Sequence, residues 1–430
     1  MKDGAPSFVA DAGSPLHQGQ PSITPQETTG DVPRERAVPR TRRFAFINAL
    51  RGYAVLFVIT AHTGTAFAEL PYPLKRLTNF GWNGVQLFFL MSCVTLLMSW
   101  RSEETDGRAS ALDFYVRRMF RISPMYYLAA LFYFLVEPPP TGFDLKQLLA
   151  ALAFVNAWHP ALAPTVLDRW NVVPGGWSIS VEFMFYFMFP LMAALVRSMR
   201  AALLFCGLAV LAGCVVNPVM EQALRDNYST TAVQNFLYFW FPNQISVFAL
   251  GTVLYFILLW VQANPLSWIS AALRRHSAAI ICACLGACAI STALPFPERL
   301  PFSFPLLIPT FLVASLIFVV IVAAMATSPR SPFVNRFACE LGKVSFSAYL
   351  FHFAVLHELP RLLPILFDTD ATGWRAIFSC FALWLATVST TYGLSAITFH
   401  TVEDPMIRMG RRLLRLRRKN DRIATAGQAS

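Results

Sequence analysis

Three stretches of the 430-residue sequence set ionisable residues inside runs otherwise apolar enough to cross a lipid bilayer. The first is LRGYAVLFVITAH, residues 50–62, with Arg51 near its start and His62 at its end. Eleven residues turn a helix through about 1100°, about 20° past three full turns, so Arg51 and His62 share one face about 16 Å apart along the axis. Asn48 lies one turn before Arg51 on a nearby face. Ionisable groups within a membrane are rare and costly, which makes them functional candidates. The same pair also fits a structural use, an arginine reaching for the interface and a histidine bonded to a neighbouring helix.

The second stretch is FYVRRMFRISPMYY, residues 114–127, where Arg117, Arg118 and Arg121 crowd the mouth of an apolar run. Clustered guanidiniums suit bidentate binding of phosphate, and they serve equally to set topology, Arg117 above all. The third is GGWSISVEFMFYFMFP, residues 175–190, with Glu182 about six residues into its helix. His62 lies about five residues from the end of an oppositely directed helix, so the two share one membrane depth. A buried carboxylate needs a partner, and a histidine acting as a base gains from one that fixes its tautomer. Glu182 paired with some other residue is the alternative.

LGKVSFSAYLFHFAVLHELP, residues 341–360, carries Ser345, Tyr349 and His352, with Ser345 and His352 seven apart and nearly on one face. Either they line one cavity or they bond helix to helix. Glu403 and Pro405, in FHTVEDPMIRMGRR, read as the anchor of a helix terminus. His17, His159, His276, His357 and His400 lie in tails or near interfaces and are given no role.

The elements that carry these residues follow from composition. The chain is 56% hydrophobic and 14% charged, against about 25% charged in soluble domains, and its apolar runs recur regularly. It reads as an all-α polytopic membrane protein. The formal charge of +11 sits beside apolar runs rather than on one surface, which points to topology and away from nucleic acid. The eight cysteines lie almost all in apolar segments, and CACLGAC (282–288) has no histidine or carboxylate near it. Neither a metal nor a disulfide framework is expected.

Runs long enough to span a bilayer occur at about 44–67, 81–100, 121–136, 177–197, 201–219, 236–260, 277–294, 304–326, 342–366 and 374–400. LKQLLAALAFVNAW (145–158) makes only about 21 Å of helix against a core near 30 Å, and reads as interfacial or re-entrant. Ten spans put Arg117, Arg118, Arg197, Arg200, Arg274, Arg275, Arg330, Arg336 and the basic C-terminal residues on one side. Glu137, Asp144, Asp168, Glu221, Asp226, Asp368 and Asp370 fall on the other. By the positive-inside rule both termini are then cytoplasmic. The expected organisation is a disordered tail over 1–43, a membrane domain over 44–400 and a basic cytoplasmic tail over 401–430. The loop 137–176 is apolar enough to fold over the outer face as a lid.

In order along the chain, these motifs resemble membrane-bound acyltransferase family 3, integral-membrane O-acyltransferases that acylate bacterial glycans and related acceptors. LRGYAVLFVITAH is similar to the family's arginine–ten residues–histidine first helix, and GVQLFFLMS (84–92) to its glycine-led double-phenylalanine segment. RRMFRISPMYY resembles the basic start of its third helix, and WSISVEFMFYFMFP its Trp-Ser, Glu, Phe-Tyr, Pro signature. LGKVSFSAYLFH and EDP match its late helices. Asn48 stands where many members carry Asp, Cys93 where Gly is usual, and Phe346 where Tyr is common.

The resemblance implies an acyl-CoA-dependent enzyme of the bacterial inner membrane, with acetyl-CoA the foremost donor and no metal. The donor's phosphates would dock at Arg118 and Arg121, with Arg51 deeper along the path. His62 would take the proton of an acceptor hydroxyl arriving from the outer side, or carry the acyl group itself. An apolar site keeps such a histidine neutral and available, and Glu182 would orient it. Asn48, Trp177, Ser178, Ser345, Tyr349 and His352 are the further substrate-binding residues implied. The acceptor implied is a cell-envelope or lipid-linked polysaccharide. A small hydrophobic acceptor such as a macrolide is a second reading, and a transporter with Arg51, His62 and Glu182 as its relay is a third.

Overall fold

The computed structural model describes residues 45–428, apart from 138, 140, 141, 164–169, 294–308, 329 and 330. The tail over 1–43, Asp168, Arg330 and part of the loop 137–176 therefore lie outside the described residues. Among the described residues every regular element is helical. In chain order they are α1 (Ala45–Thr65), α2 (Tyr72–Phe80), α3 (Gly84–Thr105), α4 (Ala111–Val136), α5 (Leu145–Leu152), α6 (Gly176–Leu195), α7 (Met199–Leu224) and α8 (Thr230–Phe239). There follow α9 (Phe241–Ala263), α10 (Trp268–Arg275), α11 (Ser277–Ala293), α12 (Thr310–Thr327), α13 (Arg336–Lys343), α14 (Ser345–Leu362), α15 (Gly373–Thr398) and α16 (Asp404–Gln428).

Helix starts are written in the sequence as side-chain oxygens that satisfy the first free amides. Ser110 opens α4, Asp144 opens α5, Ser198 opens α7 and Asn335 opens α13 in this way. A left-handed glycine, Gly175 at φ 76°, opens α6.

Eight helical stretches among the described residues are long and apolar enough to cross a membrane, or nine if α10 and α11, bent by 78°, form one broken span. The chain is an integral membrane protein. Ten spans were expected from hydropathy, and the difference lies in two places. The run at 277–294 belongs to that broken pair. The run at 342–366 becomes α14, only 18 residues long, whose His352, His357, Glu358 and Arg361 leave it too polar to qualify. The run at 236–260 starts with a break at Trp240, between α8 and α9. There Asn243 donates to the freed Leu237 carbonyl and Gln244 to that of Tyr238 at 2.6 Å, as buried backbone requires.

The segment 145–158 is shorter than a span, as its sequence requires. Helix α5 ends at Leu152, and the chain turns through Phe154 at φ 60°, a backbone strain of about 1–3 kcal/mol for such a residue. Stacking of its ring on Phe183 at 3.8 Å and a hydrogen bond from Ser180 Oγ to its carbonyl at 2.7 Å hold the turn against α6.

Helix α1 stands at the centre, packed on α2, α3, α13, α14 and α15. Without a hydrophobic force between helices in lipid, small residues decide how close they come. A Cβ on Gly52 would collide with the Ala338 carbonyl, and one on Gly342 with the Asn48 carbonyl, so α1 and α13 touch backbone to backbone. Tyr53 Oη donates to the Phe333 carbonyl at 3.0 Å, and Trp384 Nε1 to Thr60 Oγ1 at 2.9 Å. These contacts fix the rotation of α1, and with it the direction of Asn48, Arg51 and His62.

At one end of the bundle the helices are tied by charge. Arg117 pairs with Glu103 at 2.6 Å, Arg101 and Arg197 with Glu104 at 2.5 and 2.7 Å, and Arg418 of α16 with Asp113 at 2.5 Å.

Candidate active site

A cavity of about 300 Å³ lies among α1, α3, α4, α6 and α14. Its wall takes Asn48 and Arg51 from α1, Ser92 from α3, Arg118 and Arg121 from α4, Ser178, Glu182 and Tyr186 from α6, and Ser345 and Tyr349 from α14. Residues separated by 300 positions in sequence thus share one chamber.

The chamber is electropositive. Arg51, Arg118 and Arg121 face it, and among the described residues none has a carboxylate oxygen at ion-pair distance. Arg51 feels the charges of Arg121, Glu403 and Glu182. Glu182 is already engaged, accepting from Ser92 Oγ and Tyr186 Oη, both at 2.5 Å. The Arg118 guanidinium lies 5.7 Å from the Phe114 ring centre and 5.9 Å from that of Tyr186, and its Nε is buried without a hydrogen-bond partner. Ser345 Oγ is likewise buried and unpartnered. A buried guanidinium nitrogen without a partner, such as Arg118 Nε, is costly unless an anion completes it. Planar, forked donors match phosphate or carboxylate oxygens two at a time.

His62 does not line this chamber. It stands further along α1, partly exposed, in a cluster of rings: Trp82 at 4.6 Å, Phe353 at 4.3 Å and His352 at 5.3 Å between centroids. His352 also lies outside the chamber wall, 0% exposed, its Nδ1 2.7 Å from the Tyr349 carbonyl oxygen. The depth shared by His62 and Glu182 thus does not become a contact, because the carboxylate bonds to Ser92 and Tyr186.

Tyr349 belongs to both groups. Its ring lines the chamber and lies 5.8 Å from that of His352. Its Oη donates to the Gly175 carbonyl at 3.1 Å and lies 2.8 Å from Ser178 Oγ. A Cβ on Gly175 would stand 3.0 Å from Tyr349 Oη and from the Phe353 ring, so only glycine leaves room for this closure. Trp177 is not on the chamber wall and packs at a tilt against Phe239 at 4.4 Å and Tyr238 at 5.9 Å.

Other expectations sort themselves by partner. Arg117, set apart in the sequence as a topology residue, is paired with Glu103 and does not face the chamber. Glu403, read as an anchor, is 2% exposed and accepts from Ser347 Oγ at 2.9 Å. It ends a π-helical turn, Phe399–Glu403, that delivers its charge to the neighbourhood of Arg51 and Arg121. Sequence reasoning did not single out this nearness, nor Ser92 and Tyr186. Tyr186 sits one turn after Glu182, and that spacing was the available signal. His357 pairs with Glu137 at 2.7 Å at the ends of α14 and α4. All eight cysteines are free thiols.

Residues 44–395 match the acyltransferase domain family. The chain is similar to the acyltransferase MdmB of Streptomyces mycarofaciens, 27% identical over 391 residues that cover 87% of this chain and 94% of that protein. It is also similar to the exopolysaccharide production protein ExoZ of Rhizobium meliloti (strain 1021), 25% identical over 352 residues, 76% of this chain and 90% of that protein. No solved structure matches it.

Proposed function

Since this chain belongs to the acyltransferase domain family, we propose that it transfers an acyl group, acetyl foremost, from acyl-coenzyme A to a hydroxyl of an extracytoplasmic or lipid-linked polysaccharide. The observation that carries the reading is the shared wall formed by Tyr349, which joins a chamber of three arginines to a histidine cluster. Coenzyme A brings phosphates at one end and a thioester at the other. The arginine chamber suits the first, and His62, about 16 Å beyond Arg51 along α1, suits the second.

In this reading Arg51, Arg118 and Arg121 hold the anionic end, with Asn48, Ser178, Ser345 and Tyr349 along the path of the acyl arm. His62 takes the hydroxyl proton as the oxygen attacks the thioester carbonyl, and the sulfur leaves with coenzyme A. The basic end of the bundle faces the cytoplasm, with both termini, in the inner membrane of a bacterium. The partly exposed side of His62 then meets the acceptor from outside. The likeness to a protein named for exopolysaccharide production favours a sugar hydroxyl as acceptor.

The test is release of coenzyme A from acetyl-CoA by the purified protein in nanodiscs, with envelope glycan extract, and transfer of a radiolabelled acetyl group to the glycan. Label in the glycan that disappears with His62→Ala, in a protein of unchanged gel-filtration profile, supports the reading. Full turnover in His62→Ala removes the base from it. Label recovered on His62 makes that residue an acyl carrier instead. Label that enters only small hydrophobic acceptors replaces the polysaccharide. No release at all from the wild type sinks acyl transfer from coenzyme A.

A further inference from the structure

The geometry points to His352 as the positioning residue for His62, holding it in the one neutral tautomer whose unprotonated nitrogen faces the reacting hydroxyl. This rests on the acyl-transfer reading above. The role was expected of Glu182, whose carboxylate is committed to Ser92 and Tyr186.

A carbonyl oxygen only accepts, so His352 Nδ1, 2.7 Å from the Tyr349 carbonyl, carries the proton. In a neutral imidazole the other nitrogen, Nε2, is then an acceptor. That Nε2 is buried and, among the described residues, has no hydrogen-bond partner. An orphaned acceptor of this kind costs about 1–3 kcal/mol, which marks a place kept for a donor. The ring beside it is His62, centroids 5.3 Å apart and planes inclined by 48°. Phe353 covers both imidazoles, at 4.1 Å from His352 and 4.3 Å from His62. At that separation a turn of the His62 ring sets its N–H on the waiting lone pair.

The turn of α14 that holds His352 is itself pinned. Tyr133 Oη donates to the Leu350 carbonyl at 2.8 Å and accepts from the Ala354 amide at 3.2 Å. Those two groups are the partners of a regular helical bond, so a side chain from α4 is set into the ladder around His352. An imidazole whose second nitrogen is held this way has its tautomer and orientation fixed, as second-shell partners do for metal-bound histidines.

The step balances without another reactant. As the acceptor oxygen attacks the thioester carbonyl, its O–H bond breaks toward the unprotonated nitrogen of His62, the ester C–O bond forms and the C–S bond breaks. The proton on His62 passes to the departing thiolate and restores the neutral ring. His352 gains and loses no proton. Its Nε2 accepts the hydrogen bond from His62 throughout, which stabilises the transient imidazolium.

The experiment uses the full-length protein in nanodiscs, labelled with ¹⁵N-histidine, with His62→Gln to assign the His62 signals. Two variants are compared, His352→Phe, which fills the space without an acceptor, and His352→Gln, whose amide oxygen accepts where Nε2 does. In His352→Phe, kcat for acetyl-CoA with envelope glycan extract should fall about 100-fold with KM within about threefold, and the His62 nitrogens should shift from one tautomer to a mixture. His352→Gln should recover most of both. Unchanged kcat in His352→Phe overturns the proposal, and so does loss of activity in both variants with unmoved His62 signals, the mark of a structural role. A wild type that releases no coenzyme A sinks the acyl-transfer reading instead. The nitrogen spectra then decide the pairing alone, unmoved His62 signals in His352→Phe overturning it and a tautomer mixture supporting it.

Discussion

Gly342 lies so close to the main-chain carbonyl of Asn48 that a β-carbon at that position has nowhere to go. The obstacle is backbone, not the tip of a flexible side chain, so relief requires α13 to move away from α1. Since α1 carries Asn48, Arg51 and His62, a packing change made outside the chamber reaches its contents. Gly342→Ala should lower stability by about 1–3 kcal/mol and raise KM for the acyl donor. Thermal unfolding in detergent and coenzyme A release measure the two effects. A variant with wild-type melting and kinetics would show that the two helices slide apart freely.

Arg117 and Arg118 are neighbours in sequence with opposite surroundings. Arg117 is paired with Glu103, while Arg118 faces the chamber with an unsatisfied Nε. Arg118→Ala should raise KM for acetyl-CoA by about 10- to 100-fold, the loss of one or two charge-assisted hydrogen bonds. Arg117→Ala should leave KM within about threefold, as part-exposed ion pairs contribute little. Arg118→Lys should recover only part of the loss, since an ammonium lacks the fork. Steady-state kinetics on the three variants decides this, and equal effects of the two alanines would count against the chamber as donor site.

Glu182 bonds Ser92 and Tyr186 on the chamber wall. Glu182→Gln keeps the shape and removes one negative charge, so it should change KM for the anionic donor and leave the ¹⁵N signals of His62 in place. A shift of His62 in that variant would restore the direct partnership expected from sequence.

Tyr133 reaches from α4 into the ladder of α14. Tyr133→Phe removes the hydroxyl and leaves the Leu350 carbonyl and Ala354 amide to find each other again. Stability should change by about 0.5–1.5 kcal/mol, while kcat should fall by more than that change explains, because the turn that presents His352 is rebuilt. Paired melting and turnover measurements test it, and an unchanged kcat would sever Tyr133 from the histidines.

The chamber was largely legible from residue types alone. Arg51, Asn48, Arg118, Arg121, Glu182, Ser178, Ser345 and Tyr349 all reach one space, because polar groups in apolar helices have few other places to turn. The rings that surround His62 were not legible. Counting residues from a helix end gives a depth, and depth says nothing of rotation about the axis, which here is decided by glycine contacts between α1 and α13. Glu403 was read as an anchor, and its bond from Ser347 fits that; its nearness to Arg51 and Arg121 was not legible, since the π turn at Phe399–Glu403 shifts the register by which a helix end is counted. Ten spans became eight or nine because a run of apolar residues does not show the bend between α10 and α11, and because the helix formed within 342–366 keeps only 18 residues, His352, His357, Glu358 and Arg361 among them.

The closure of Tyr349 on Gly175 and Ser178 has a consequence for the cell as well as for the chemistry. A corridor lined with three guanidiniums and open at both ends would be a leak for anions, and the histidines beyond it would pass protons down their gradient. With the tyrosine seated on Gly175 and Ser178, hydrogen bonds close that stretch of the chamber wall, which works against such a leak. If the donor is an acyl-coenzyme A, as proposed, a thin acyl arm is what would part the tyrosine from its glycine, and between turnovers the same closure would keep the protein from discharging the membrane it sits in.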